Sequence, residues 1–253
     1  MANEFETGRA FMHSPHFADA MQNSDEAKQV AQPPLGNPVT GTLIELPAFD
    51  HLGKAPYTKL LDTRRSERKL TQKAITQEQL AFLLWSAQGV QEVRGNKRFA
   101  TFRPVPCGGA RHPFETYIAV QHVEGLEAGL YRYVPLEHVG EKRVAIEHIA
   151  GLADYETRIP MAFSGQTWAA KSSISLFFSA VPSRTEWRYA EASHRLMLID
   201  VGHVGQNVML SAVALGLGSC CIAAYDQASC DEVLGLDGEE EYTVYAVAVG
   251  TLG

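Results

Sequence analysis

Cysteine is scarce in this chain. Cys107, Cys220, Cys221 and Cys230 show no C-x-x-C spacing, and no histidine pair stands beside them at ligand spacing. That argues against a disulfide scaffold and against a zinc site, so no metal ligand is expected. Free buried thiols in a reducing, cytoplasmic compartment fit better, above all for Cys220 and Cys221 in their apolar run. Long apolar runs are missing too. Asp200, His203, Gln206 and Asn207 interrupt the longest one, and the opening MANEFETGRAFMHSPHF has no apolar signal core, so no membrane segment is expected. Positive charge is in deficit. Lys and Arg number 22 against 29 Asp and Glu, a net charge of −7, which argues against bulk binding to nucleic acid or an anionic membrane. Several catalytic signatures are absent as well: G-x-x-x-x-G-K-[ST], G-x-S-x-G and H-E-x-x-H. The glycines near residue 216 do not spell G-x-G-x-x-G, so a Rossmann cofactor site has no support.

What is present is an ordinary globular composition with an uneven charge. The 253 residues, 45% of them hydrophobic, suffice for one large core or two modest ones. Between Lys54 and Arg111 stand twelve Lys and Arg but only four Asp and Glu; the remainder is strongly acidic. Such a segment is either a solvated basic face or a surface offered to a small anion. Its densest part is Asp62-Thr63-Arg64-Arg65-Ser66-Glu67-Arg68-Lys69. Three guanidiniums and a hydroxyl there suit a phosphate.

Residues 1–59 read as an extended N-terminal arm, punctuated by Pro33-Pro34, Gly36-Asn37-Pro38 and Pro47. Scattered apolar residues in it suggest that it wraps a partner subunit, the alternative being disorder. The body covers 60–253. Thr76-Gln77-Glu78-Gln79 is a capping box opening a helix that Gly89 ends. Gln91–Arg103 reads as a polar loop. TYIAVQ (116–121) and GLYRYV (129–134) form a hairpin about the turn 124–128. A helix is expected over 142–153 and a buried strand over 173–181. A long helical region follows over 185–215, broken near Gly202 and turning Ile199, Val204, Val208, Ala212 and Leu215 inward. A strand over 219–224, a helix capped by Asp226 and a last strand over 242–249 complete the set. Helices and strands mix without βαβ alternation, which gives an α+β fold.

The stretch Arg103-Pro-Val-Pro-Cys-Gly-Gly-Ala-Arg-His-Pro-Phe-Glu115 raises two readings. Cys107 near His112 suggests a thiolate nucleophile. Gly108 and Gly109 beside Arg111 suggest an anion cradle. The prolines stiffen the loop, and the glycines let its backbone approach a flat ligand closely.

Four segments in order carry a resemblance. They are DTRRSERKL, the capped helix ending LLWSAQGV, RPVPCGGARHPFETYI, and DVGHVGQNVMLSAVALGLGSCCIAAYD. Over residues 60–253 the chain resembles the nitroreductase-like flavoenzymes. In RHPFETY, EGLEAGLYRY and GHVGQN it is most similar to their SagB-type dehydrogenase branch.

That resemblance implies a nitroreductase-like fold: a central, mostly antiparallel sheet flanked by helices, in an intertwined homodimer with FMN at each subunit junction. It implies that Arg64, Arg65, Ser66 and Arg68 hold the phosphate and pyrimidine edge of the flavin. It implies that Pro106, Cys107, Gly108 and Gly109 contact the flavin of the partner subunit, with Cys107 standing where relatives commonly have Ser. The backbone of Ala223 and Ala224 would face flavin N5. Chemistry would be flavin-centred, with no catalytic side chain, NADH or NADPH as electron donor and a small electron-poor acceptor such as a nitroaromatic or quinone. Two alternatives accompany it: an azoline dehydrogenase acting on a modified peptide, and a flavin-binding protein without turnover. One departure stands out. Relatives carry Arg or Lys just after the last strand, whereas here the chain reads Val249-Gly250-Thr251-Leu252-Gly253. That cation would then be missing or supplied elsewhere, for example by Arg184, Arg188 or Arg195. Gln206 and Asn207 are polar residues in an apolar helix, serving either the site or the core.

Overall fold

The computed structural model describes residues 5–13 and 17–253. In chain order its elements are helices α1 (Glu6–Met12) and α2 (Phe17–Gln22), strand β1 (Thr42–Leu46), α3 (Tyr57–Thr63), β2 (Leu70–Thr71), α4 (Gln77–Gln88), β3 (Glu92–Arg94) and β4 (Ala100–Phe102). Then come β5 (Phe114–Val120), β6 (Gly129–Tyr133), β7 (Val144–Ala150), α5 (Tyr155–Ala162), β8 (Ile174–Ala180), α6 (Ser183–Tyr189), α7 (Ser193–Ala214), β9 (Leu217–Ile222), α8 (Gln227–Leu234) and β10 (Tyr242–Leu252).

Period-two alternation builds the centre of the molecule. The main sheet runs β1-β7-β6-β5-β8-β10-β2, with β9 also paired to β10, and its ladders are antiparallel. On β5, β8 and β10 the residues Ile118, Leu176 and Val247 point to one face, where α4 and α7 cover them with Leu80, Leu84, Val204 and Val208. Their neighbours Ala119, Phe177 and Ala248 point to the other face, under α5 and α8. The result is three layers of helix, sheet and helix in an α+β arrangement. The stretch Ser183–Ala214 is the one described helix region long and apolar enough to cross a membrane by composition, and half of its most apolar window is buried inside this fold.

Helix α4 forms as its ends dictate. Thr76 Oγ1 accepts from Gln79 N, Gln79 Oε1 accepts from Thr76 N, and Gly89 closes the helix. Asp226 caps α8 by accepting from Ser229 N at 2.8 Å.

Four expectations are corrected. Residues 142–153 are not helical: Val144–Ala150 is β7, laid between β1 and β6. Its Val144 and Ile146 enter the core while Glu147, on the opposite face, enters a buried ion network, a two-sided demand that only a strand satisfies. Residues 91–103 contain the small β3–β4 hairpin rather than only a loop. The long helical region breaks at Ala190, in the left-handed region with φ 45°, and Gly202 lies inside an unbroken α7. Ile199 faces outward at 52% exposure, while Val204, Val208 and Ala212 are buried as expected.

Residues 1–4 and 14–16 of the arm lie outside the described residues. From Phe17 on, the arm lies on its own chain. Glu26 N donates to Trp187 O (2.8 Å), and the Glu26 carboxylate receives Arg188 Nη1 at 2.9 and 3.0 Å. Gln32 and Phe99 exchange two hydrogen bonds. Asn37 N donates to Glu115 (2.8 Å) and Asn37 Nδ2 to Glu241 (2.7 Å), and β1 then joins the sheet edge at β7. Beneath this strap Arg132 pairs with Glu147 at 2.5 Å and Arg184 with Glu115 at 2.7 Å, all four side chains buried. Burial works against charge on Glu147, but the Arg132 guanidinium and the amides of Gly41 and Thr40 outweigh it and hold the carboxyl down to about 2.

Candidate functional site

The sequence-predicted residues fall into two groups. The first lies along β9. Residues 64–69 run extended from the end of α3 to β2, and Glu67 N donates to Ser219 O at 2.9 Å. The close approach needs Gly218: a Cβ there would stand 2.8 Å from Leu70 Cδ2 and 3.1 Å from Glu67 Cβ. Ser66 and Arg68 thereby face Cys220, and Arg64 faces Cys221 on the other side of the strand. Burial raises the Cys220 thiol, with the Arg68 charge and the Ser66 hydroxyl pulling against it. Burial also pushes Cys221 up to about 11, against the Tyr245 hydroxyl and Arg64. Both remain thiols, as do the other two cysteines.

Arg65 and Arg68 are exposed and Arg64 is half-buried. Among the described residues none of the three is ion-paired to a carboxylate. Arg65 Nη1 donates to the Arg64 carbonyl (2.7 Å), and the Arg68 guanidinium lies 5.8 Å from the Trp168 ring. Ala223 and Ala224 follow β9 and are exposed. The Ala224 carbonyl accepts from Gln166 Nε2 at 2.9 Å, and Gln166 Oε1 accepts from Trp168 Nε1 at 3.2 Å. The arginine strip and the Ala223–Ala224 backbone therefore meet at one edge of the molecule. Gln166 and Trp168 join them there; no periodicity or motif marked those two, because their partners are distant in sequence.

The second group is the loop Pro106–Gly109, which packs on the first half of α7 and the end of α6. Gly108 N donates to Asp200 Oδ2 at 2.9 Å, and Cys107 Sγ accepts from His112 N at 3.1 Å. Gly109 has φ 61°, and a Cβ on it would strike the Tyr189 hydroxyl. Ala110 (φ 53°) and His112 (φ 43°) are also left-handed, so the loop is strained where it turns.

The nucleophile reading fails on electrostatics. Burial, and then the Asp200 carboxylate, push the Cys107 thiol far above its ordinary range. Burial, with Arg103 and Arg111 beside it, drives His112 down to about 2, so its ring stays neutral and bonds to the Thr101 backbone. The two residues meet through a backbone N–H, not through the ring. Arg111 is no anion ligand either, since it donates to the carbonyls of Phe99 and Gly109 and lies over Trp187. Arg103 is a buried cation without a hydrogen-bonded carboxylate. Its Nη1 meets Gln88 O (3.2 Å) and Gln88 Oε1 (2.9 Å), so the negative end of the α4 dipole offsets its charge. Burial still lowers it to about 10.

The cations proposed to replace the missing terminal one are engaged elsewhere. Arg184 binds Glu115 and Asn37, Arg188 binds Glu26, and Arg195 donates to Met12 O at 3.0 Å. Two exposed cations lie near the end of β10: Lys69, next to Leu70, which pairs with Leu252, and Lys73, whose carbonyl accepts from Thr251 Oγ1 at 3.4 Å. Asn207 Nδ2 donates to Ser86 O (3.0 Å) and ties α7 to α4, while Gln206 is exposed.

The family model described as the nitroreductase family matches residues 61–251. A protein of Methanocaldococcus jannaschii named as a candidate nitroreductase is 32% identical over 209 residues, covering 82% of this chain and 95% of its own. The trifolitoxin-processing protein TfxB of Rhizobium leguminosarum bv. trifolii is 31% identical over 150 residues, which is 58% of this chain and 39% of that protein. The crystal structure of a candidate nitroreductase from Ralstonia eutropha superposes with a TM-score of 0.66 at 25% identity, covering 88% of this chain and 97% of the other.

Proposed function

The chain belongs to the nitroreductase family of oxidoreductases, and from that footing we propose that it is FMN-dependent and passes hydride from NADH or NADPH to a small electron-poor acceptor of nitroaromatic or quinone type. The observation that carries the reading is the segment Arg64, Arg65 and Arg68 along β9: three guanidiniums that, among the described residues, have no carboxylate partner, in an acidic protein and near an exposed backbone turn. That donor set fits a flavin phosphate and pyrimidine edge.

FMN, when bound, would supply two-electron hydride chemistry. The chain's own residues bind and polarise. Arg64, Arg65 and Ser66 would hold the phosphate. Arg68, over the Trp168 ring, would lie toward the N1–C2 carbonyl edge, where a fixed positive charge favours the reduced anionic form. The backbone at Ala223 and Ala224 would lie toward N5. The strained loop Pro106–Gly109 would reach the flavin of a partner subunit in a homodimer. The interface would draw on exposed apolar residues of two contacting helices, Leu198 and Ile199 of α7 and Tyr57 and Leu61 of α3. In this reading residues 60–253 form the flavin domain and 1–59 the arm.

The likeness to the trifolitoxin-processing protein favours a second reading, a dehydrogenase acting on a modified peptide. A visible spectrum of the purified protein, followed by anaerobic NADPH or NADH, separates the two. A flavin spectrum that bleaches supports the reductase, and one that persists favours the dehydrogenase or a flavin store. A colourless protein that takes up no FMN refutes all three. Arg68→Ala is expected to weaken FMN binding at least tenfold, about 1.4 kcal/mol or more, with the fold intact; titration of the apoprotein with FMN measures it.

A further inference from the structure

Between the arginine strip and the end of β9 stands a short shelf, residues 162–168. It leaves α5, turns through two left-handed residues, Ser164 (φ 53°) and Gly165 (φ 81°), and enters a single 3-10 turn beginning at Thr167. The shelf grips the β9 exit twice. The Ala162 carbonyl accepts from Asp226 N at 2.8 Å, and Gln166 Nε2 donates to Ala224 O at 2.9 Å. The ladder of β9 with β10 ends at Ile222, so Ala223 and Ala224 have no strand partner and rely on this grip.

Gln166 is itself oriented. An indole can only donate, so the atom 3.2 Å from Trp168 Nε1 is the Gln166 oxygen, and the amide nitrogen is thereby aimed at Ala224. The face of the same indole receives the Arg68 guanidinium at 5.8 Å. Arg68, Trp168, Gln166 and Ala224 thus form one mechanical chain, drawn from three separate stretches of sequence. Its two ends are the side chain assigned to the pyrimidine edge and the backbone assigned to N5.

We infer that Gln166 and Trp168 are positioning residues for the flavin, setting the distance between the Arg68 guanidinium and the Ala223–Ala224 backbone; the inference rests on the FMN reading above. Neither residue carries charge or moves a proton. Each acts through the group it holds, and a small error in that placement costs rate far more than it costs binding.

Two variants test this. Trp168→Phe keeps a ring under Arg68 and removes the indole donor. Gln166→Leu keeps the bulk and removes both hydrogen bonds. Each is loaded with FMN, and three quantities are compared with wild type: FMN per chain, the flavin midpoint potential, and the stopped-flow rate of flavin reduction by NADPH. The expected result is full FMN loading, a shifted potential and reduction slowed about tenfold or more. The double variant should be no slower than the worse single one, because both changes break the same chain. Loaded variants with wild-type potential and rate would overturn the inference and leave the FMN reading standing. A wild-type protein that takes up no FMN would remove that reading, and the inference with it.

Discussion

His112 is held neutral by burial and by two guanidinium neighbours, Arg103 and Arg111, down to about pH 2. In the unfolded chain its ring protonates near the ordinary 6.5. Between those values the unfolded state binds more protons than the folded one. Stability therefore falls as pH drops through this window, by up to about 1.4 kcal/mol per pH unit. Glu147 adds to the loss below 4.5, since its folded value is about 2. Replacing His112 with Asn, which tolerates the left-handed backbone there, should flatten the dependence between pH 6.5 and 4.5 and leave the steeper fall below it. Urea unfolding at a series of pH values measures both limbs; an unchanged slope above 4.5 would refute the assignment. The same residue shows what was legible at this scale. The basic density of Arg64–Arg68 was legible in the sequence, because unbalanced charge is visible without a fold. Whether Cys107 and His112 react depended on burial and on Asp200, 93 residues further along the chain, and no local pattern records either. Gln166 and Trp168 escaped notice for the same reason.

Helix α7 shows how an element is fitted to its sheet. Gly205 is buried against β9 and β10, and a Cβ there would lie 2.6 Å from Tyr245 Cε1 and 3.1 Å from Cys221 Sγ. Alanine is the better helix former by about 1 kcal/mol, yet the clash pushes the other way. Gly205→Ala is expected to destabilise by about 1–3 kcal/mol, read from the midpoint of denaturant unfolding; a gain in stability would mean that α7 shifts freely over the sheet. Elements with their own end signals were legible: α4 through its capping box, α8 through Asp226, and the β5–β6 hairpin through its turn. Strand β7 was not. In Val144–Ala150 short apolar spacing fits a helix as well as a strand, and the choice is made by β1 and β6 on either side. The break at Ala190 was equally hidden, since alanine gives no warning of a left-handed turn, whereas exposed Gly202 offered a false one.

At the scale of the whole molecule Leu198 and Ile199 (49% and 52%) on α7 and Tyr57 and Leu61 (65% and 48%) on the contacting α3 are exposed apolar side chains. The proposed dimer takes them as one face and covers it. Ile199→Glu should yield a single-chain species in sedimentation velocity and weaken FMN binding at least tenfold, because the partner's loop is withdrawn from the site. A dimer that persists with full flavin affinity would place the interface elsewhere. The α+β layering was legible from alternation along the strands, but this face was not, since Ile199 fits an inward pattern as well as an outward one.

The strap formed by residues 17–46 also sets a timetable. Its partners run from Phe99, Glu115, Arg132 and Glu147 to Trp187, Arg188 and Glu241, so an early part of the chain is fastened by residues made much later. During synthesis Asn37 waits for roughly two hundred further residues before its bond to Glu241 can close. At about 5–20 residues per second that interval is tens of seconds at the slow end. For about the first half of that time β1 has no ladder to join, because its partner β7 ends only at Ala150. The strap is thus the last stitch of a seam whose thread was spun first.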